Sequence, residues 1–143
     1  MAENPYKKYR EQSINTMTQG EMLVLLFETC VKRLNEGVIY IEEKDYAKAN
    51  ESLQKAERII RYLDSTLDMQ YEIAMDYARL YDYFIWRITT GNIHKDVSLI
   101  KEVIPMISDL GKTFKEAERI ARQQQHGTVS PAPQAQADAA AAP

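Results

Sequence analysis

Apolar residues recur along most of this chain at alternating intervals of three and four. In the stretch YEIAMDYARLYDYFIWRITT, residues 71–90, the positions Ala74, Tyr77, Tyr81, Phe84 and Ile88 are spaced 3, 4, 3, 4. That rhythm averages about 3.5 residues per turn and lays all five on one stripe of a helix. Three other stretches share it. Leu23, Phe27, Cys30, Leu34, Gly37 and Ile41 predict a helix over 19–43. Tyr46, Ala49, Leu53, Ala56, Ile60 and Leu63 predict one over 46–66, and the tyrosine-rich stretch one over 70–90. Ile100, Val103, Ile107, Leu110, Phe114, Ala117 and Ala121 predict the last, over 97–123.

The residues between the stripes carry stop and start signals. Thr18 and Glu21 have the spacing of a capping box, in which hydroxyl and carboxylate each accept from the other residue's backbone N–H. Asp45 and Asp96 are placed as N-caps. Asp64, Ser65 and Thr66 favour a terminus over an interior. Gly91 stands where a C′ residue would end the third helix, with Asn92 as a second breaker. Pro105 falls inside the fourth helix, where it removes a backbone hydrogen bond, and a kink is expected there. The stripe keeps phase across it, which favours one helix over two. Four helices with 3.5-residue seams and short connections predict an all-α fold, an antiparallel up-down-up-down four-helix bundle.

Both ends read differently. Residues 1–17 are polar except for Tyr6, Tyr9, Ile14 and Met17, and Pro5 blocks early helix. They form an N-terminal arm, read either as a frayed terminus or as a strap lying in a groove. Residues 124–143 form a tail rich in Ala, Pro and Gln, expected to be disordered for lack of apolar surface to bury. The bundle proper is expected over 18–123.

Some apolar residues miss the stripes. Trp86 lies almost opposite the seam of its helix, with Met75 near it and Tyr83 on the flank. Leu25 falls opposite the first seam and Met22 beside it, while Tyr62 points away from the second. Single exposed apolar residues are ordinary. Trp and Tyr together on an outer face are the residue types that most often anchor interfaces.

Composition narrows the classes. The 143 residues fit one domain, with 45% hydrophobic residues to build its core. Lys and Arg number 18 against 21 Asp and Glu, a net charge of −3, which argues against a dedicated nucleic-acid binder. The short YKKYR at 6–10 does not reverse that. The one cysteine, Cys30, lies on a seam and reads as a small buried hydrophobe in a reducing compartment. No secretory h-region is visible, and the longest fully apolar run, Met22 to Phe27, is far too short to span a membrane. A soluble cytoplasmic protein without membrane insertion is expected.

Catalytic and metal chemistry find no footing. Di-iron bundles need Glu-x-x-His pairs, and neither His94 nor His126 completes one. The glycines are scattered singly, so no phosphate loop is formed. No nucleophile–base pair is suggested. The expectation is a non-enzyme without cofactor or metal, whose chemistry lies in its surface. Apolar grooves outside a bundle suit amphipathic helices.

The motifs NPYKKY at 4–9, NTMTQGEMLVLLFETCVKRL at 15–34, KAERIIRYLDSTLD at 55–68 and LYDYFIWRI at 80–88, in this order, resemble the FliS family. The resemblance runs from about residue 4 to 120. It implies a cytosolic flagellar export chaperone that binds the C-terminal, disordered helical segment of flagellin and prevents premature polymerisation. It also implies delivery to the type III export gate through the cytosolic domain of FlhA. The arm around Tyr6, Tyr9, Ile14 and Met17 would then occupy a groove that flagellin also uses. From wheel position, Met22, Leu25, Met75, Tyr83 and Trp86 are expected to line or border the partner path. A monomer or weak homodimer is expected, and the competing reading is a self-associating structural bundle without a flagellin client.

Overall fold

The computed structural model describes residues 16–127. The expectations for residues 1–15 and for the tail from 128 on lie outside the described residues. Within them are four helices: α1 Gln19–Glu42, α2 Tyr46–Ser65, α3 Glu72–His94 and α4 Val97–Gly127. They form the up-down-up-down bundle: α1 packs on α2 and α4, α3 on the same two, and α1 and α3 stand diagonally.

The predicted seams fill the core. Leu34, Leu53, Ile60, Ile88, Ile100 and Ile107 are wholly buried. Phe114 joins α4 to two neighbours: its ring lies 4.8 Å from Phe27 of α1 and 5.9 Å from Tyr77 of α3. Gly111 faces α1 closely: a Cβ there would meet Phe27 Cβ at 2.8 Å. Several seam members are less buried than their phase predicts, and on α4 Leu110, Ala117 and Ala121 are only half-buried. Tyr77 is half-buried, and Tyr46 is 47% exposed because it is the first residue of α2, beyond the end of the core.

The Thr18–Glu21 capping box forms with both hydrogen bonds present. Asp45 caps α2 by accepting from the Lys48 backbone N–H at 3.2 Å. Asp96 accepts from the Ser98 backbone N–H at 3.0 Å at the start of α4. That helix is continuous through Pro105, which is exposed, and extends to Gly127, one turn beyond the expected end.

The end of α3 corrects the sequence reading. Gly91 and Asn92 are buried inside the helix, which ends at His94. Gly91 is needed for packing: a Cβ there would lie 2.8 Å from Ile100 Cγ1. Asn92 is satisfied within the fold, its Nδ2 donating to Asn50 Oδ1 at 2.8 Å and its Oδ1 accepting from Lys95 Nζ at 2.5 Å. The helix ends in a Schellman motif instead. Asp96 N–H reaches the Gly91 carbonyl at 2.9 Å, Lys95 N–H the Asn92 carbonyl at 3.3 Å, and Lys95 takes the left-handed conformation at φ 53°. The end of α1 repeats the motif, with Asp45 N–H on Tyr40 O at 2.8 Å and left-handed Lys44 at φ 63°. Two lysines thus occupy positions that usually take glycine.

Candidate functional site: a cleft on α1 and α4 and an aromatic face on α3

The α1–α4 boundary opens into a cleft of about 520 Å³ beside the first turns of α1 and the last turns of α4. Val24 and Leu25 supply its apolar surface from α1, with Met17 at its lower end. The charged residues lining it are Glu21 and Glu28 from α1, and Lys112, Lys115, Glu116, Glu118, Arg119 and Arg122 from α4. Three contacts bridge the helices here. Arg122 pairs with Glu21, Lys115 Nζ lies 3.7 Å from Glu28 Oε2, and the Thr18 hydroxyl donates to Glu118 Oε1 at 3.0 Å. Farther along the same boundary a second cleft of about 260 Å³ adds Val31 and Ser108, with buried Phe27 at its floor. The two share Glu28, Lys112 and Lys115, so one groove follows the boundary. On the other flank of α1, Met17 and Met22 line a cleft of about 260 Å³ with Tyr62 of α2.

The second surface is the outer face of α3. Trp86 is 56% exposed, Met75 49% and Ile93 71%. Trp86 is held in place by its neighbours. The Arg87 guanidinium lies 4.9 Å above its ring, and the Tyr83 ring stands 6.0 Å away at 54°. Arg87 Nε donates to the Tyr83 hydroxyl at 3.1 Å and its terminal nitrogen pairs with Glu102 of α4 at 2.8 Å, while Tyr83 in turn donates to Glu102. The Tyr83 hydrogen bond, then the charge of Glu102, raise the Arg87 pKa above its ordinary value. The guanidinium stays charged, and the aromatic pair is pinned before any partner arrives.

The expected site residues therefore divide between two places. At the base of α1, Met17 lines two clefts on opposite flanks, one with Leu25 and the other with Met22. Tyr83 and Trp86 come together on α3, with Met75 three turns earlier on that helix. The two places belong to diagonal helices. Tyr6, Tyr9 and Ile14 lie outside the described residues. Sequence reasoning passed over the row Lys112, Lys115, Arg119 and Arg122, although its 3, 4, 3 spacing marks one flank of α4. It also passed over Ile93, because the third helix was expected to have ended before it.

The buried polar groups are structural. Cys30 donates to the Ala56 carbonyl, and burial pushes its thiol pKa up to about 12, far from nucleophile chemistry. No group of three His, Cys, Asp or Glu side chains among the described residues is placed to hold a metal ion. No helix among them is long and apolar enough to cross a membrane.

The described surface thus carries a charged, apolar-floored groove and an exposed tryptophan. The family described as "Flagellar protein FliS" matches residues 2–121. The chain belongs to the FliS family. The flagellar secretion chaperone FliS of Bacillus subtilis is 33% identical over 126 residues, covering 88% of this chain and 95% of that protein. The Salmonella typhimurium protein of the same name is 28% identical over 109 residues, covering 74% of this chain and 81% of its own length. The Escherichia coli FliS is 24% identical over 110 residues, covering 75% and 81%. FliS proteins are chaperones, not enzymes.

Proposed function

We propose that this chain is a cytosolic flagellar export chaperone that binds the C-terminal helical segment of flagellin. The segment seats in the apolar grooves outside the bundle, and binding prevents premature polymerisation. The loaded chaperone then delivers its client to the type III export gate by way of the cytosolic domain of FlhA. Tyr6, Tyr9, Ile14, Met17, Met22, Leu25, Met75, Tyr83 and Trp86 are the proposed partner-binding residues. The observation that carries this reading is the family membership of a bundle whose groove and exposed tryptophan lie on different sides. A segment that wraps the bundle meets both. Such a client orders as it binds, at a cost of about 2–5 kcal/mol, so it needs a long contact path and not one deep pocket.

Calorimetric titration with the C-terminal segment of the host's flagellin tests this. Tight 1:1 binding with a strongly negative heat-capacity change is expected. Trp86→Ala and Leu25→Ala should each weaken binding by about 1–3 kcal/mol without loss of helicity. No binding by the intact chain would refute the flagellin reading. Size measured at several concentrations would then decide whether the same surfaces join copies of this chain.

A further inference from the structure

The groove along α1 and α4 has walls of opposite sign. Its lining charges from α1 are both acidic, Glu21 and Glu28. From α4 it takes four cations, Lys112, Lys115, Arg119 and Arg122, which fall within an arc of about 80° of that helix. The α4 lining also holds two carboxylates, so that wall keeps a net excess of two positive charges, four cations less two acids. Glu116 pairs with Arg119 of its own helix at 2.6 Å, and Glu118 accepts from Thr18 at the base of α1. Between the walls lie Val24 and Leu25, continued by Val31 in the adjoining cleft.

We infer that this groove takes an amphipathic helix with acids on one flank of its apolar stripe and bases on the other, and that its walls set the direction in which that helix runs. The inference deepens the proposed function, since the occupant it describes is a helix of the client segment. The empty groove closes its charges on themselves through Glu21–Arg122 and Glu28–Lys115. A helix seated between the walls exchanges each such pair for two, its acids facing α4 and its bases facing α1. Both partners of the Glu28–Lys115 pair are more than half exposed, so opening it costs little. Reversing the chain direction of a docked helix exchanges its two flanks. With like charge against both walls, the reversed arrangement is disfavoured. An apolar groove with unsigned walls would accept either direction.

Two designed peptides read this directly. They share an apolar stripe at i, i+3, i+4 and i+7 and the same composition, but one has Glu on the left flank and Lys on the right, and the other has them exchanged. Each carries a nitroxide at its N-terminus and is added to the intact, isotope-labelled chain. Amide signals at the two ends of the groove are then compared, around Glu21 and around Val31. The two peptides should broaden opposite ends, with a preference of roughly tenfold at low ionic strength that fades near 1 M salt. Combining Glu28→Lys with Lys115→Glu keeps the bridging pair while mixing the walls, and should reduce the preference toward equality. Both peptides docking in one direction, equal broadening of both ends, or no broadening in the groove would each overturn the inference. Titrating the flagellin segment in parallel separates the two claims. If it binds while the peptides show no opposed directions, the chaperone reading stands and the signed groove falls. If it fails while they do, the groove's signs stand and the flagellin reading falls.

Discussion

Lys44 and Lys95 share a backbone conformation but should respond oppositely to the same substitution. Each is the left-handed residue of a Schellman motif, at φ 63° and 53°. A side chain in that region costs about 1–2 kcal/mol, which glycine avoids. Glycine also loses more freedom on folding, by about 0.5–1 kcal/mol. At Lys44, which is exposed, the balance favours glycine, and Lys44→Gly should stabilise the chain by about 0.5–1 kcal/mol. At Lys95 a further contact intervenes. Its ammonium donates to Asn92 Oδ1 at 2.5 Å, and Asn92 is 8% exposed. Hydrogen bonds to charged groups contribute about 1.5–3 kcal/mol, so Lys95→Gly should be destabilising by about 1 kcal/mol net. Urea unfolding followed by far-ultraviolet circular dichroism measures both, provided the slope against urea is unchanged. Stabilisation by both substitutions, or by neither, would refute the reasoning, because it would mean that the Lys95–Asn92 contact does not separate the two sites.

Gly111→Ala places a methyl 2.8 Å from Phe27 Cβ and should cost about 1–3 kcal/mol in the same urea experiment; an unchanged midpoint would show that α1 and α4 separate freely. Cys30 should resist a thiol reagent in the native chain at pH 8 and react at the rate of unfolding, and rapid labelling would contradict its burial. Burial raises the pKa of both Cys30 and Tyr81, so the folded state holds protons that the unfolded chain has lost. Stability should be level below the unfolded thiol value, near pH 8.5, then fall by about 1.4 kcal/mol per pH unit, and more steeply above about pH 10 as Tyr81 joins. Tyr81→Phe should remove the steeper part, and a pH profile that is flat to pH 11 would reject the account.

The core was legible because burying one side of a helix requires an apolar residue at nearly every turn, and that requirement leaves a period in the sequence. Leu23 to Ile41, Ala49 to Leu63 and Ala74 to Ile88 show it without help from other helices. The end of α3 was not legible. Gly91 looks like a terminator, and only the approach of Ile100 from α4 reveals that its missing side chain serves packing. Lys95 carries no mark of its left-handed conformation, nor of the contact its ammonium makes with Asn92, which is itself held by Asn50 of α2. The candidate site was legible only residue by residue. Wheel position brought out Leu25 and Trp86 as outward-facing, and in the structure Leu25 is half-buried in a groove while Trp86 is more than half exposed. The groove itself joins Glu21 to Arg122, which are 101 residues apart, and no local pattern could pair them.

That separation bears on how the proposed client is held. Leu25 already sits half-buried in the α1–α4 groove, so covering it removes limited further surface from water. Trp86 offers more area, and its ring is fixed by Arg87 and Tyr83, so a partner meets an ordered anchor with little entropy left to lose. Neither place has the depth to hold a segment whose ordering alone costs about 2–5 kcal/mol. The two lie on diagonal helices, out of contact with each other, and their losses should therefore add in a double variant. A client bound at one place alone would instead leave the other substitution silent. Measurable losses from both Leu25→Ala and Trp86→Ala in the flagellin titration, adding in the double variant, are thus the thermodynamic signature of a wrapped path, whereas a single cleft leaves one of the two silent.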